Sequence, residues 1–196
     1  MTGATRDQVL TAIVSIAAER GLDHVSIREV AAEAGVSIGT VQYYCRSKDE
    51  LLVLGFRHIM DRINARVAGK RRSGQVAPVL RSALSEFLPL DRTRGREARA
   101  YLAFAAQAAF SPTLAAVQRE VLSDLRKRCA DTFRLAQERG QAKTDYVAAD
   151  AAASTAALVD GLILHLLTDP KGLSKNAALR ILDNHLGRYL ELDVRP

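Results

Sequence analysis

Apolar residues recur every three or four positions along most of the chain. Val9, Ile13, Ile16 and Ala17 form one such stripe, and Val117, Val121, Leu125 and Cys129 form another. This is the spacing of a helix with one buried face. Alternating β-branched runs are almost absent, and alanine and leucine dominate. Helix starts are marked by pairs with capping-box spacing: Thr5 with Gln8, Ser26 with Glu29, and Ser47 with Glu50. Ser111-Pro112 sets a cap before a proline at the first helical position. Gly21, Gly35 and Gly140 fall where chains turn left-handed after a helix. These signals predict about nine helices, over 5–20, 27–34, 38–44, 48–68, 74–88, 94–109, 112–139, 145–168 and 174–191. The early helices are short and end near residue 45, and those after them are long. The fold class is therefore all-α, with a three-helix head over residues 1–48 and a larger helical body over 49–196. The basic stretch Gly69–Gly74 is the connection most suited to flexibility.

Residues 26–48 read as a helix, a tight turn and a second short helix. Ala31 and Ala34 are small enough for a close crossing, Gly35 supplies the turn, Val36 plugs the angle and Ser37 caps the second helix. That is the helix-turn-helix plan, in which the second helix enters the major groove. Val41 and Cys45, one turn apart, point inward with Val36, which turns Gly39, Thr40, Gln42, Tyr43 and Arg46 outward. This face has hydroxyls, an amide and a cation but no carboxylate, and it suits a groove lined with acceptors. Gln42 is the base reader, since its amide can pair bidentately with adenine. Thr40 can touch a thymine methyl or a phosphate. Tyr43, Tyr44 and Lys48 suit phosphate contacts that set register, with partial burial equally open to Tyr44. Arg28 reaches a guanine edge or a phosphate, and Ser26, Ser37 and Gly39 complete the DNA-facing set.

Segment 26–52 resembles the signature of TetR-family transcriptional repressors. The resemblance runs over Arg28, Ala31, Ala34-Gly35-Val36-Ser37, Gly39-Thr40-Val41, Tyr43, Ser47-Lys48 and Leu51-Leu52, with Gly21 ahead of it. The helix count is similar to the whole architecture of that family. Gln42 stands where an aromatic is frequent, and Cys45 stands where phenylalanine is usual. The resemblance implies a dimer that regulates neighbouring genes, often including its own.

Charge adds less than its total suggests. The net +6 comes from an excess of seven positive charges in residues 51–100, whereas residues 1–50 carry a deficit of two. Arg66, Lys70, Arg71 and Arg72, then Arg92, Arg94, Arg96 and Arg99, supply it. The plain reading is solvated interhelical connections; the sharper one is a salt-dependent contact with a phosphate backbone. With 48% hydrophobic and 26% charged residues the chain has the balance of a globular protein. Two cysteines are too few for a disulfide framework. The first residues lack the apolar core of a secretory signal. Asp150, Asp160 and His165 interrupt the apolar stretch 148–167, a poor membrane span. A soluble, cytoplasmic protein without a membrane partner is expected.

The body carries two further expectations. Helix 148–167 is apolar nearly all round, so one face should meet its own core and another a partner subunit. Leu158, Leu162 and Leu166, with Ile181, Leu182, His185, Leu186 and Tyr189 on the last helix, are the expected interface of a two-fold homodimer. A cavity for a small-molecule effector is expected around Tyr101, Phe104, Gln107, Phe110, Leu122, Leu125, Cys129 and His165. Gln107, an amide among alanines, needs a protein or ligand partner. The body has no tryptophan and few tyrosines. No aromatic cage for a quaternary amine is evident, so a mainly apolar effector fits better.

An enzyme is the poorer reading. The histidines are scattered, with neither H-E-x-x-H nor E-x-x-H spacing to build a metal site. No phosphate loop or dinucleotide fingerprint occurs, so neither cofactor nor metal is expected. Gly35-Val36-Ser37-Ile38-Gly39 satisfies G-x-S-x-G, but that elbow needs a strand before it. The leading expectation is a dimeric repressor released from a palindromic operator by a small ligand. The alternative is a regulator whose body only dimerises.

Overall fold

Serine, aspartate and glycine divide the chain into helices, largely where the spacing predicts them. The structure is a computed structural model that describes residues 3–70, 74–143 and 145–191. Helix α1 spans Gly3–Arg20, and a short 3-10 turn, Leu22–His24, leads to α2 (Ile27–Ala34) and α3 (Ile38–Tyr44). Then come α4 (Lys48–Ala68), α5 (Val76–Ser85), α6 (Arg92–Ala108), α7 (Pro112–Glu138), α8 (Ala148–Thr168) and α9 (Lys175–Leu186). Among the described residues no strand accompanies them, only an isolated antiparallel bridge between Ala142 and Leu190.

The caps explain both the agreements and the differences. Ser26, Ser37 and Ser111 each accept a backbone N–H three residues on, at 3.2, 3.1 and 3.3 Å. Asp91 does the same for Arg94 at 2.8 Å and starts α6 two residues before the predicted onset. Thr5 lies inside α1, which is already helical at Gly3, and so does not mark the helix start. Glu29 and Glu50 do not close their boxes. Glu29 pairs with Arg20 at 2.8 Å, and Glu50 accepts the Arg46 N–H at 2.6 Å. Helices α5 and α9 are shorter than predicted. The chain turns at 86–88, and after Leu186 it turns so that Leu190 meets Ala142.

The helices pack as two compact units, one of Met1–Asn64 and Asp91–Glu120, the other of Ala65–Leu90 and Val121–Pro196. In the first, α1 lies against α2 and α6, and α2 against α3. Phe56 of α4 stacks on Phe104 of α6, ring centroids 5.3 Å apart and nearly parallel. Both rings are fully buried. Gly55 makes this approach possible: a Cβ there would overlap Ile13 Cγ2 of α1 and lie 3.1 Å from Phe104 Cζ. Ion pairs join the same helices. Arg62 of α4 meets the buried Glu97 of α6 at 2.9 Å, and Arg96 meets Glu19 of α1 at 2.9 Å. Packing thus groups α6 with the short helices, a division different from a boundary after residue 48. The buried face of α4 needs cover, and α1 and α6 supply it.

In the second unit α9 packs on α8 and α5. Arg81 of α5 holds Asp183 of α9 through two hydrogen bonds, at 2.5 and 3.1 Å. Gln141 accepts the Val76 N–H at 2.9 Å, and Lys143 donates its N–H to the Tyr189 carbonyl at 3.0 Å. By length and composition α8 could cross a membrane. One stripe of it, including Ala152, Thr155, Val159, Leu162 and Ile163, is buried in the chain's own core.

The crossing at Gly55 predicts opposite results for two glycine-to-alanine changes. Gly55→Ala overpacks three helices and should cost about 1–3 kcal/mol. Gly95→Ala, where nothing lies within 4 Å of the added Cβ, should stabilise by about 0.5–1 kcal/mol. Melting temperatures of the two variants check this: the first falls and the second rises.

Candidate nucleic-acid interface

The short helix α3 is fixed at both ends and along its inner face. Gly35, at φ 66° and ψ 33°, ends α2 in the left-handed conformation. The Val36 N–H then returns to the Ala31 carbonyl at 3.0 Å. Ser37 caps α3, and its hydroxyl also lies 2.8 Å from that of Thr40. The far end closes where the Cys45 N–H donates to the Val41 carbonyl at 3.1 Å. Val41 and Cys45 are buried. Burial, with the Glu50 charge second, pushes the Cys45 thiol up to about 11. The preceding α2 is tied to α1 by Arg20, which meets Glu29 and Glu33, and by Ser15, whose hydroxyl donates to Glu33 at 3.0 Å.

With its inner face fixed, α3 turns its other side to solvent. Arg28, Ser37, Gly39, Gln42, Arg46 and Lys48 are exposed, and Tyr43 is 73% exposed. Ser26, Thr40 and Tyr44 are half-buried, and the Tyr43 and Tyr44 rings meet edge to face at 5.2 Å. Lys48 donates to the Asp23 carbonyl at 3.2 Å. No acidic residue lies on α3. Hydrogen-bonding capacity alone passes over Ile38, which is 48% exposed at the start of this helix. A hydrophobic residue that the head's packing leaves outside is the signal available for it.

Several cations of these stretches have internal partners. Arg66 and Lys70 both meet the buried Glu86, at 3.0 and 2.8 Å. Arg94 pairs with Asp91 at 2.7 Å, and Arg96 with Glu19. Arg92 and Arg99 are exposed, while Arg71 and Arg72 lie outside the described residues. Arg66, Lys70, Arg94 and Arg96 are thus tied within the fold.

Comparison with known proteins decides the family. The family model for N-terminal domains of tetR-family bacterial regulatory proteins matches residues 9–53. The model for the C-terminal domain of BetI-type transcriptional repressors matches residues 77–191. The chain belongs to the TetR family. It is a transcriptional regulator, not an enzyme. The HTH-type transcriptional regulator PksA of Bacillus subtilis is 26% identical over 97% of this chain and 92% of its own length. The regulator BetI of Paraburkholderia phytofirmans is 29% identical over 94% and 93%. A transcriptional regulator from Rhodococcus sp. Rha1 is 36% identical with a TM-score of 0.82, over 92% of this chain and 93% of that one. A regulator from Saccharomonospora viridis, solved in complex with choline, shares the fold at a TM-score of 0.83 and 22% identity, over 97% and 100%.

Within this TetR-family chain the expected effector residues are dispersed. Tyr101 and Phe104 are core residues of the first unit, against Phe56. Gln107 is exposed, so its amide is open to solvent and needs no buried partner. Phe110 is 84% exposed because α6 ends before it. In the second unit Leu122 and Leu125 are half-buried, and Cys129 is buried with its thiol pushed up to about 11. His165 is exposed on α8. As corrections, Gln107, Phe110 and His165 lie at the surface. An open cleft of about 420 Å³, lined by Pro89, Leu166, Pro170, Leu173, Ser174, Lys175 and Asn176, includes none of the expected effector residues.

The expected dimer stripe also needs correcting. Leu162, Leu166, Leu182 and Leu186 are buried in the chain's own core, so they are not surface for a partner. Periodicity identifies the apolar faces of α8 and α9 but not which of them turns inward. Leu158 and Tyr189 are half-buried, and Ile181 is 39% exposed. His185 is half-buried, with Nε2 2.8 Å from the Thr155 hydroxyl and its ring 5.4 Å from that of Tyr189. Phe133, Tyr146 and Tyr189 meet there at 5.1–5.7 Å, at steep ring angles. Sequence spacing gives no sign of this cluster, because its members stand far apart in the chain.

Burial, with Arg188 second, holds the His185 pKa below the usual 6.5. Burial does the same to His58, outweighing Asp7 at 4.0 Å. As pH falls past 6.5 the unfolded chain takes up these protons before the folded one does. The stabilisation is therefore complete above 6.5 and lost as pH drops through the lowered folded values. The melting temperature should fall between pH 7.5 and 5.5, and the double variant His58→Gln, His185→Gln should show a shallower fall.

Proposed function

We propose that this chain is a cytoplasmic, homodimeric repressor, released from a palindromic DNA operator by a small, mainly apolar effector. The observation that carries this reading is α3: a helix capped by Ser37, anchored by Val41 and Cys45, with an exposed face free of carboxylates. Membership of the TetR family supports it further. Residues 1–48 form the DNA-binding part, and 49–196 provide dimerisation and effector response. Gln42 reads an adenine edge. Arg28, Ser26, Ser37, Gly39, Thr40, Tyr43, Tyr44 and Lys48 hold the backbone and set the register. Lys48 exchanges its bond to the Asp23 carbonyl for a phosphate.

Two heads related by a two-fold axis meet grooves about 34–36 Å apart. On α8 and α9 the interface draws on residues still open to a partner, Leu158 and Ile181 with Leu164, which is 43% exposed. The effector acts by binding one dimer conformation better than another, and it shifts the equilibrium only by that difference. An apolar effector remains the preferred class. The Phe133, Tyr146, Tyr189 and His185 rings pack against one another, which leaves no cage for a cation among them.

Binding of operator DNA across a salt series tests the assignment. Gln42→Ala should relax base preference and lose about 1–3 kcal/mol of discrimination at one position. Lys48→Ala should weaken all sequences alike and lower the salt slope by about one. An unchanged sequence preference in Gln42→Ala would remove Gln42 as the reader.

A further inference from the structure

The DNA-facing helix carries an aliphatic side chain that the protein's own packing covers only in part. Ile38 is 48% exposed, while its helix is held by the buried Val41 and Cys45. Ile38 and Tyr43 are both among the exposed large apolar side chains of the described residues. Tyr43 has a hydroxyl to offer a phosphate; Ile38 has no polar atom at all. Ile38 and Gln42 stand four apart and so share one face of the helix. Between them Gly39 adds no bulk, and a Cβ there would meet only Ser37 Oγ, at 3.8 Å. Thr40, the other residue suited to an apolar contact, is half-buried with its hydroxyl turned to Ser37 at 2.8 Å.

In the major groove the base edges present donors and acceptors, and the one apolar group is the thymine C5 methyl. An isoleucine entering beside Gln42 would desolvate polar edges anywhere else. We infer that Ile38 is a specificity-determining residue that recognises a thymine methyl in the same half-site that Gln42 reads. This rests on the reading of α3 as the DNA-recognition helix and adds to it a preference that hydrogen bonding does not provide.

The test uses the full-length protein and a sequence that it selects from random double-stranded DNA. Each thymine of the selected half-site is replaced in turn by deoxyuridine, which lacks only the methyl. At one thymine per half-site the wild type should lose about fourfold in affinity, the value of one methyl-sized group leaving apolar contact. Ile38→Ala should bind thymine and deoxyuridine alike at that position, and Ile38→Val should keep a reduced difference, which closes a double-mutant cycle. Both variants should melt like the wild type, because Ile38 lies outside the core. An equal deoxyuridine effect in wild type and Ile38→Ala, or no sensitive thymine, overturns the inference while leaving α3 as the reader. Failure to select any sequence overturns it together with the operator reading.

Discussion

At Gly55 the chain leaves out a side chain so that Ile13 of α1 and Phe104 of α6 can both close on α4, and the recognition unit is built outward from that crossing. Phe56, the next residue, stacks on Phe104 and fills the space beside it. Helix α1 then carries α2 through Arg20 and Ser15, and α2 carries α3 through the turn at Gly35. Each step is short range. The outward face of α3 therefore inherits its orientation from packed apolar contacts together with the Arg20 and Ser15 ties between α1 and α2.

The electrostatics obey the same order. A net charge of +6 suggests an affinity for phosphate, and several of the basic side chains are tied to carboxylates inside the fold. Glu86 takes Arg66 and Lys70, Glu97 takes Arg62, and Glu19 takes Arg96. Glu86 and Glu97 are buried, and buried carboxylates need such partners. The outward face of α3 is mostly neutral, with Gln42, Tyr43 and Ile38 beside a few cations. That composition suits a protein that discriminates among sequences more than one that only binds phosphates.

How much of this is legible in the sequence depends on the range of the interaction. Ser26, Ser37 and Ser111 act within three residues, and their helix starts stand where the spacing puts them. The whole turn from Ala31 to Val41 is likewise local. Thr5 does not mark a helix start because α1 starts ahead of it, and Asp91 is a cap that the pattern does not single out. Non-local outcomes are out of reach. Leu182 and Leu186 face the chain's own core and not a partner, and periodicity gives the same stripe for either. Gln107 lies in water although its neighbours are alanines. The meeting of Phe133, Tyr146, Tyr189 and His185 depends on the path of three separate segments, including the loop clamped by the Ala142–Leu190 bridge.

The central claim is that α3 presents a sequence-reading face to duplex DNA as one of a symmetric pair. It is tested most directly by footprinting the purified protein on the DNA upstream of its own gene across a salt series. The account predicts a protected, two-fold symmetric segment whose half-sites lie about one helical turn apart, with protection lost steeply as salt rises. Absence of protection at every salt concentration would contradict it.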